Sequence, residues 1–426
     1  MNSNIISIKN SINSRLWRIK KRFLTLLLRF KYIRTIRRLR KVYGKRKIIV
    51  AFGVSEIAKW KAQSLYDRLE KTPAYSPIIF IYPSPIELEK GEVTDQMLEE
   101  KINFFRRKNM RAVTTWDSAT QKCIIPKEVL PDIIFYQQPW DTPPFLLPIE
   151  TADYALSFYI PYYLVNNLDI NLELGLPLHR QIFGHIVQNE QTAKFFTSKL
   201  IKRRYAGKCL GLGHTIVDTL TTKVPSNEKD CIIYAPHYSF PVEGLKRLLI
   251  YSTFLDNGKL ILEFAKQHPE IRWVFKPHPR LRFELEDKGV WTKEEIKTYY
   301  EEWAKIGVVC TTSDYVEYFQ NSLAMITDCG SFLTEYSCMD KPLIRLYYHK
   351  ENLPPNPILE KLYSTFYYAH NNDELSELLE LIICKKEDPN KNERHKEVTS
   401  LGLNRNDSAL KIINYLDSLL ARKKQG

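Results

Sequence analysis

The sequence predicts an α/β protein built from two doubly wound, parallel-sheet domains. Three observations carry this expectation. From Lys47 onward, short apolar runs of strand length alternate with helical patterns. Several of those runs end abruptly in polar loops, and open parallel sheets gather their ligand-binding residues at such strand ends. The 426 residues exceed one ordinary core and suit two domains of roughly 150–200 residues each.

In chain order, residues 1–46 form a basic amphipathic segment. Leu16, Ile19, Phe23, Leu26, Leu27, Phe30 and Ile33 recur at spacings of three and four, with Arg and Lys between them. The unbroken apolar run Leu26–Leu28 is far below the roughly 20 residues that cross a bilayer. Basic residues interrupt the segment too often for a secretory signal. The chain holds 63 Lys/Arg and 49 Asp/Glu; 16 of the basic residues and none of the acidic ones fall in 1–47, which leaves 47 against 49, a net of −2, for the rest. Residues 15–42 are therefore expected to lie on an anionic membrane surface, at about 1 kcal/mol per basic residue close to the lipid. The alternatives are a solvated arm or one docked on its own domain. The body lacks the basic face that a nucleic-acid partner requires, so none is expected.

Residues 47–222 read as the first domain. Ile48–Phe52 is a buried strand, and Ser55 is placed to cap a helix through about Lys71. A second strand spans Ile78–Tyr82, a helix about 94–107, and a third strand Ile133–Tyr136, which ends in Gln137-Gln-Pro-Trp140-Asp141. Ser157–Tyr163 is dense in aromatics, for a cleft wall or a core; a helix over about 179–203 and Gly211-Leu-Gly-His214 follow. Residues 221–229 make a linker. The second domain, 230–385, shows strands at 231–235, 272–276, 307–311, 323–328 and 342–347, with helices at about 258–267, 292–305, 314–320, 331–338 and 373–384. Within 386–426, the polar stretch 386–399 reads as a loop, and a helix over about 408–422 packs back on the domains.

The seven cysteines form no C-x-x-C pair and several sit in apolar runs, which favours reduced thiols in a cytosolic fold. There is no metal-ligand spacing and no Asp-x-Asp pair, so neither a metal nor a cofactor is expected.

Three strand-end loops of the second domain carry the chemistry. Thr327-Asp328-Cys-Gly330-Ser331 leads from a strand into a helix, whose exposed N–H groups and dipole suit an anion. There Ser331 can cap the helix and bond a phosphate oxygen, and Glu335, one turn on, can accept from ribose hydroxyls. Lys276-Pro-His278-Pro279-Arg280 holds an imidazole between two prolines that keep the backbone extended. His278 is the candidate general base or acid, and Lys276 and Arg280 can balance phosphate charge. His237, in Ala235-Pro-His-Tyr-Ser239, has the same strand-end placement. On the acceptor side the candidates are Trp140, Tyr159, Tyr162 and His214.

These motifs resemble the CDP-glycerol glycerophosphotransferase family, the teichoic-acid primases and polymerases and their capsule and O-antigen relatives. The resemblance rests on Tyr234-Ala-Pro236, on Lys276-Pro-His278-Pro279, and on Ile326-Thr-Asp328-Cys-Gly-Ser331 followed by Asp340-Lys-Pro342, and it covers about residues 130–350. It implies a GT-B fold, with two Rossmann-like domains facing a cleft and the nucleotide held mainly by the second. It also implies attack of an acceptor hydroxyl on the β-phosphorus of a CDP-alditol, with release of CMP and no metal. The chain departs from the family at Tyr159-Ile-Pro-Tyr162, where teichoic polymerases carry a Trp-His-Gly element, and at His237, where threonine is usual. A divergent member using His278 and His237 is the expectation, peripheral on the inner face of the cell membrane and acting on a glycan or lipid-linked acceptor. The competing expectations are a GT-B glycosyltransferase using a nucleotide sugar, and a non-catalytic membrane-binding adaptor.

Overall fold

The structure, a computed structural model, describes residues 2–140, 142–164, 175–203, 205–223, 230–242, 244, 250–312, 314–348 and 356–421. The side chains of Leu16 and Ile19, Asp141, and most of the expected linker (224–229) lie outside the described residues. The chain gathers into two compact units. One takes in Met1–Tyr162, Ile170–Thr215 and Asp407–Gly426, and the other Tyr163–Asp169 and Ile216–Asn406.

The first unit is built on a seven-stranded parallel sheet. Its strands are β1 (Ile48–Val54), β2 (Tyr75–Ile81), β3 (Ala112–Thr114), β6 (Ile133–Tyr136), β7 (Leu156–Tyr159), β8 (Gly184–Ile186) and β9 (Lys208–Leu210), in the order 3-2-1-6-7-8-9. A small hairpin, β4 (Trp116–Asp117) with β5 (Lys122–Cys123), stands apart. Strands β1 and β6 are apolar along their whole length because both faces of a parallel sheet are covered. The expected helix from Ser55 begins later, at Gln63, because Ser55 is buried and its hydroxyl bonds Gln138 Oε1 (3.0 Å) instead of capping. The expected helix 179–203 is two helices, Pro177–Gln181 and Glu190–Arg203, with β8 between them. Gly184 admits that strand: a Cβ there would sit 2.8 Å from the Phe158 ring.

The second unit is a six-stranded parallel sheet of β10 (Cys231–Ala235), β11 (Arg272–Phe275), β12 (Gly307–Val309), β13 (Ser322–Thr327), β14 (Leu343–Leu346) and β15 (Tyr367–Ala369). The order is 12-11-10-13-14-15, the doubly wound arrangement whose switch point lies between β10 and β13. Registers Tyr234↔Phe275 and Ala235↔Thr327 end three strands at one level, so their following loops share an edge. Stacked rings beneath them (Tyr234–Phe275 at 5.7 Å, Phe275–Trp303 at 5.0 Å) form the core.

One expectation about the chain ends is corrected. Residues 386–399 are not all loop, for Lys391–Ser400 is a helix. It is anchored by the buried Arg394, whose guanidinium bonds Asp388 (2.5 and 2.9 Å) and pairs with Asp340 (3.3 Å). The apolar pattern missed it because a cation, not an apolar stripe, fastens it. The first helix, Asn2–Val42, is docked on its own unit along residues 25–39. Leu28, Tyr32 and Leu39 are buried in the first core. Tyr32 OH bonds Ser157 Oγ and Gln181 O (both 2.6 Å), and Thr35 Oγ1 bonds Ala152 O (2.6 Å). Arg38 (3.2 Å) and Arg46 (2.6 and 2.9 Å) close on the buried Asp132. The C-terminal helix, Ser408–Leu420, belongs to the same unit, with Asp417 accepting from Tyr43 and Tyr75 (both 2.6 Å).

A helix built into the core has a measurable consequence. Leu39→Ala should lower the stability of the whole chain by about 2–5 kcal/mol, the cost of a buried leucine cavity. A shift in the urea unfolding midpoint reads it; a solvated arm would leave the midpoint unmoved.

Candidate active site

The strand-end loops of the second unit meet on the carboxylate of Asp328. This residue follows β13 and is buried. Its Oδ1 accepts the backbone N–H of His237 (2.6 Å), from the loop after β10. Its Oδ2 accepts the backbone N–H of Thr253 (2.7 Å) and the Thr253 hydroxyl (3.2 Å), at the start of the helix Phe254–Gln267. Burial pushes the Asp328 pKa up to about 6, while the two backbone N–H bonds and the threonine pull it down.

The His237 loop is tied further. Ser252 Oγ donates to His237 O (2.8 Å), and Ser239 Oγ accepts from Tyr251 N (3.1 Å). With its oxygen so occupied, the Ser239 hydroxyl turns its hydrogen to His237 Nδ1 (2.8 Å), which the Ser239 N–H also approaches (3.2 Å). An imidazole that accepts at Nδ1 carries its proton on Nε2 when neutral.

His278 arrives from β11. Its backbone N–H bonds Pro236 O (2.9 Å), joining the two histidine loops, and the two rings lie 4.9 Å apart. The Arg280 N–H donates to His278 Nδ1 (3.1 Å), so this ring too holds its proton on Nε2. Burial, then the charges of Arg280 and Lys276, lower its pKa to about 4. At neutral pH His278 is therefore an uncharged Nε2–H donor, and a role as base requires the other tautomer. Tyr238 packs on both rings (4.5 and 4.4 Å), with the exposed Arg280 guanidinium 4.7 Å from its ring centre.

The remaining donor-side residues divide. Thr327 is structural: Oγ1 bonds Ala235 O (2.6 Å) and accepts from Cys329 N (2.9 Å). The helix that follows begins at Gly330 with Cys329 at its N-cap position and no side-chain cap. Ser331 therefore lies inside the first turn, its hydroxyl 3.3 Å from the Cys329 sulfur, and does not cap as expected. Lys276 is buried, with Nζ on Thr312 O (3.1 Å) and 5.8 Å from the Phe332 ring in that same turn. Glu335 departs from its expected place as a ribose acceptor. It is buried and receives the Tyr315 hydroxyl, because the residue one turn into the helix points into the core.

In the first unit, Trp140 and Tyr162 do come together, ring centres 5.5 Å apart, with Lys59 Nζ 5.2 and 5.6 Å from them. Trp140 is 46 % exposed. Tyr159 and His214 are corrected to interior roles. Tyr159 is buried on the edge of His179 (4.8 Å), and His214 is buried with Nε2–H donating to Pro161 O (2.7 Å) and its pKa lowered to about 4 by burial. Gly213 beside it is a packing glycine at φ +95, where a Cβ would meet Ser408 Oγ at 2.4 Å.

Sequence reading missed Tyr238, Ser239, Tyr251, Ser252, Thr253 and Lys59. Ser252-Thr253 before an apolar helical run was a legible N-terminal signal; the others act through contacts that spacing does not encode. Among the described residues no group of three or more His, Cys, Asp or Glu is placed to hold a metal ion.

No protein-family profile matches the chain, and no curated protein matches it in sequence. Solved structures do. The wall teichoic acid polymerase TagF is similar at a TM-score of 0.56 and 15 % identity, over 94 % of this chain and 97 % of that one. The UDP-GlcNAc 2-epimerase from Neisseria meningitidis, bound to UDP-GlcNAc, is similar at 0.53 and 13 %, over 87 % and 100 %. The UDP-GlcNAc 2-epimerase from Methanocaldococcus jannaschii is similar at 0.51 and 15 %, over 87 % and 99 %. The chain has the GT-B fold. Both Rossmann-like sheets expected from the sequence are present, the second in the strand order that nucleotide-binding domains use.

The opposed shifts of Asp328 and His278 give a pH signature. Asp328 binds its proton more tightly folded (about 6) than at its ordinary 3.8, so its contribution makes the fold more stable as pH falls from about 6 to 4. His278, at about 4 against 6.5, contributes the opposite: stability present above about pH 6.5 is lost as pH falls through 4. Asp328→Asn removes only the first, and it turns an amide NH2 onto one of the two backbone N–H groups. The variant should be about 1–3 kcal/mol less stable at pH 7. It should also lose stability more steeply than the parent between pH 6 and 4, measured by urea unfolding at each pH.

Proposed function

We propose that this chain transfers an alditol phosphate, such as glycerol phosphate, from a CDP-linked donor to a hydroxyl of a glycan or lipid-linked acceptor in cell-surface polysaccharide synthesis. One observation carries the reading: two imidazoles 4.9 Å apart, both set as Nε2–H donors, at the switch point of the second sheet. That edge is where doubly wound sheets hold nucleotides. Paired Nε2–H donors beside Lys276 and Arg280 suit a diphosphate. The motif resemblance around Tyr234–Pro236, Lys276–Pro279 and Ile326–Ser331 supports the CDP-alditol class, and the fold likeness to TagF is compatible with it.

In this reading the acceptor oxygen forms a bond to the β-phosphorus as the bridging bond to the α-phosphate breaks. CMP leaves with that electron pair, and the hydroxyl proton passes to solvent. His278 and His237 donate from Nε2 to the oxygens on which charge builds, and Lys276 and Arg280 offset the charge on the departing CMP.

A second reading is a GT-B transferase acting on a nucleotide sugar. It draws on the fold likeness to epimerases that bind UDP-GlcNAc. The two separate on one assay: the purified chain with CDP-glycerol and a glycan acceptor should release CMP, whereas turnover of a UDP-sugar alone would favour the second.

His278→Ala should lower that CMP release about 10²–10⁴-fold, the usual worth of a positioned proton-handling group. His278→Gln, which keeps an N–H near the Nε2 position, should recover part of the loss if donation is the role. An unimpaired His278→Ala enzyme would sink the assignment.

A further inference from the structure

The first helix carries two apolar faces, and the core uses only one. Thr25, Leu28, Tyr32, Thr35 and Leu39 turn inward. Phe23, Leu26, Phe30 and Ile33 lie outward, at 68, 63, 58 and 49 % exposure. At about 100° per residue the centres of the two rows are about 160° apart, so the outward stripe points nearly straight away from the core. Residues with large apolar side chains stacked in one exposed row, rather than scattered singly, mark an interaction surface.

The borders of the stripe decide its partner. Arg22 flanks it on one side and Arg34 and Lys41 on the other, with Arg37 on its line, and all four are exposed; Arg29, next to Arg22 on the helix surface, turns instead to Tyr205 O (3.0 Å) and Ala206 O (3.4 Å) of its own unit. The Arg34 guanidinium lies 5.8 Å from the Phe30 ring centre. No acidic residue occurs in 1–47. The apolar surface continues from Ile33 into a groove of about 380 Å³, lined among others by Tyr32, Ile36 and Leu200 with Arg29 and Lys208. No helix among the described residues is long and apolar enough to cross a membrane.

We propose that this face docks the first unit on a bilayer surface rich in anionic lipid, with the four apolar side chains in the acyl-headgroup boundary and Arg22, Arg34 and Arg37 on lipid phosphates. The helix lies rigidly between core and lipid, because its inner face is fixed by Leu28, Tyr32 and Leu39 and by hydrogen bonds to Ser157 and Ala152. It is thus neither a flexible tether nor a detachable anchor, and the orientation of the first unit on the membrane is set by the fold. This inference is independent of the chemistry proposed for the second unit.

Deleting the helix would open the core, so point variants are the test. The full chain should co-sediment with vesicles containing phosphatidylglycerol and stay in solution with phosphatidylcholine alone, with binding weakened by added salt. Phe23→Ser with Phe30→Ser should weaken binding at least about tenfold by removing two buried aromatic anchors. Circular dichroism and the unfolding midpoint should not change, because both residues are exposed. Arg34→Glu with Arg37→Glu should abolish the preference for the anionic lipid. Undiminished vesicle binding by both variants would overturn the proposal. So would light scattering that finds a dimer dissolved by Phe23→Ser with Phe30→Ser, since the stripe would then be covered by a second copy of this chain.

Discussion

The second unit depends on one carboxylate accepting three hydrogen bonds. Asp328 is held out of water, where an unpaired charge would be costly, and it is satisfied by the backbone N–H groups of His237 and Thr253 and by the Thr253 hydroxyl. Together they tie the loop after β13, which carries Asp328, to two other segments: the loop after β10 through His237, and the start of the helix Phe254–Gln267 through Thr253. Without an acceptor at that point, two buried N–H groups would face each other across the switch point. Parallel pairing of β10 with β13 brings the segments to one edge, and the carboxylate converts that proximity into a fixed geometry.

The same geometry governs the proton positions. Nδ1 of each histidine is occupied by a local N–H or hydroxyl, from Ser239 for His237 and from Arg280 for His278. Each neutral ring then carries its proton on Nε2. Two such donors close together, with cations beside them, favour bonding to anionic oxygen over proton abstraction, and the low pKa of His278 keeps it neutral through the ordinary range of pH. The backbone turn from Pro277 to Arg280 thus determines an electronic property of the ring it presents.

The first unit illustrates how a sequence pattern can be right about amphipathicity and incomplete about direction. Of the seven residues that spacings of three and four grouped, from Leu16 to Ile33, Phe23, Leu26, Phe30 and Ile33 form one exposed stripe. The inward row differs. It includes Tyr32 and Thr35, whose hydroxyls reach Ser157, Gln181 and Ala152, so hydrogen bonds as well as apolar area hold the helix. Polar residues that pay their desolvation with specific partners are invisible to a hydrophobicity pattern, and Arg394 escaped it for the same reason.

The order of apolar runs along the chain by itself determined that the protein has two doubly wound sheets, because only strands buried on both faces are apolar throughout and only parallel strands need intervening helices. It also determined that His237, His278 and Asp328 stand at strand ends, since each follows an apolar run directly. Tertiary structure alone decided what those residues do. Burial fixed Asp328 as a tie between loops and Glu335 as an interior acceptor, and it placed Tyr159 and His214 in the core. Local hydrogen bonds chose the imidazole tautomers. A sequence records which residues can meet an edge; which of their atoms remain available once there depends on partners brought from elsewhere in the chain, as Thr253 is to Asp328 across 75 positions.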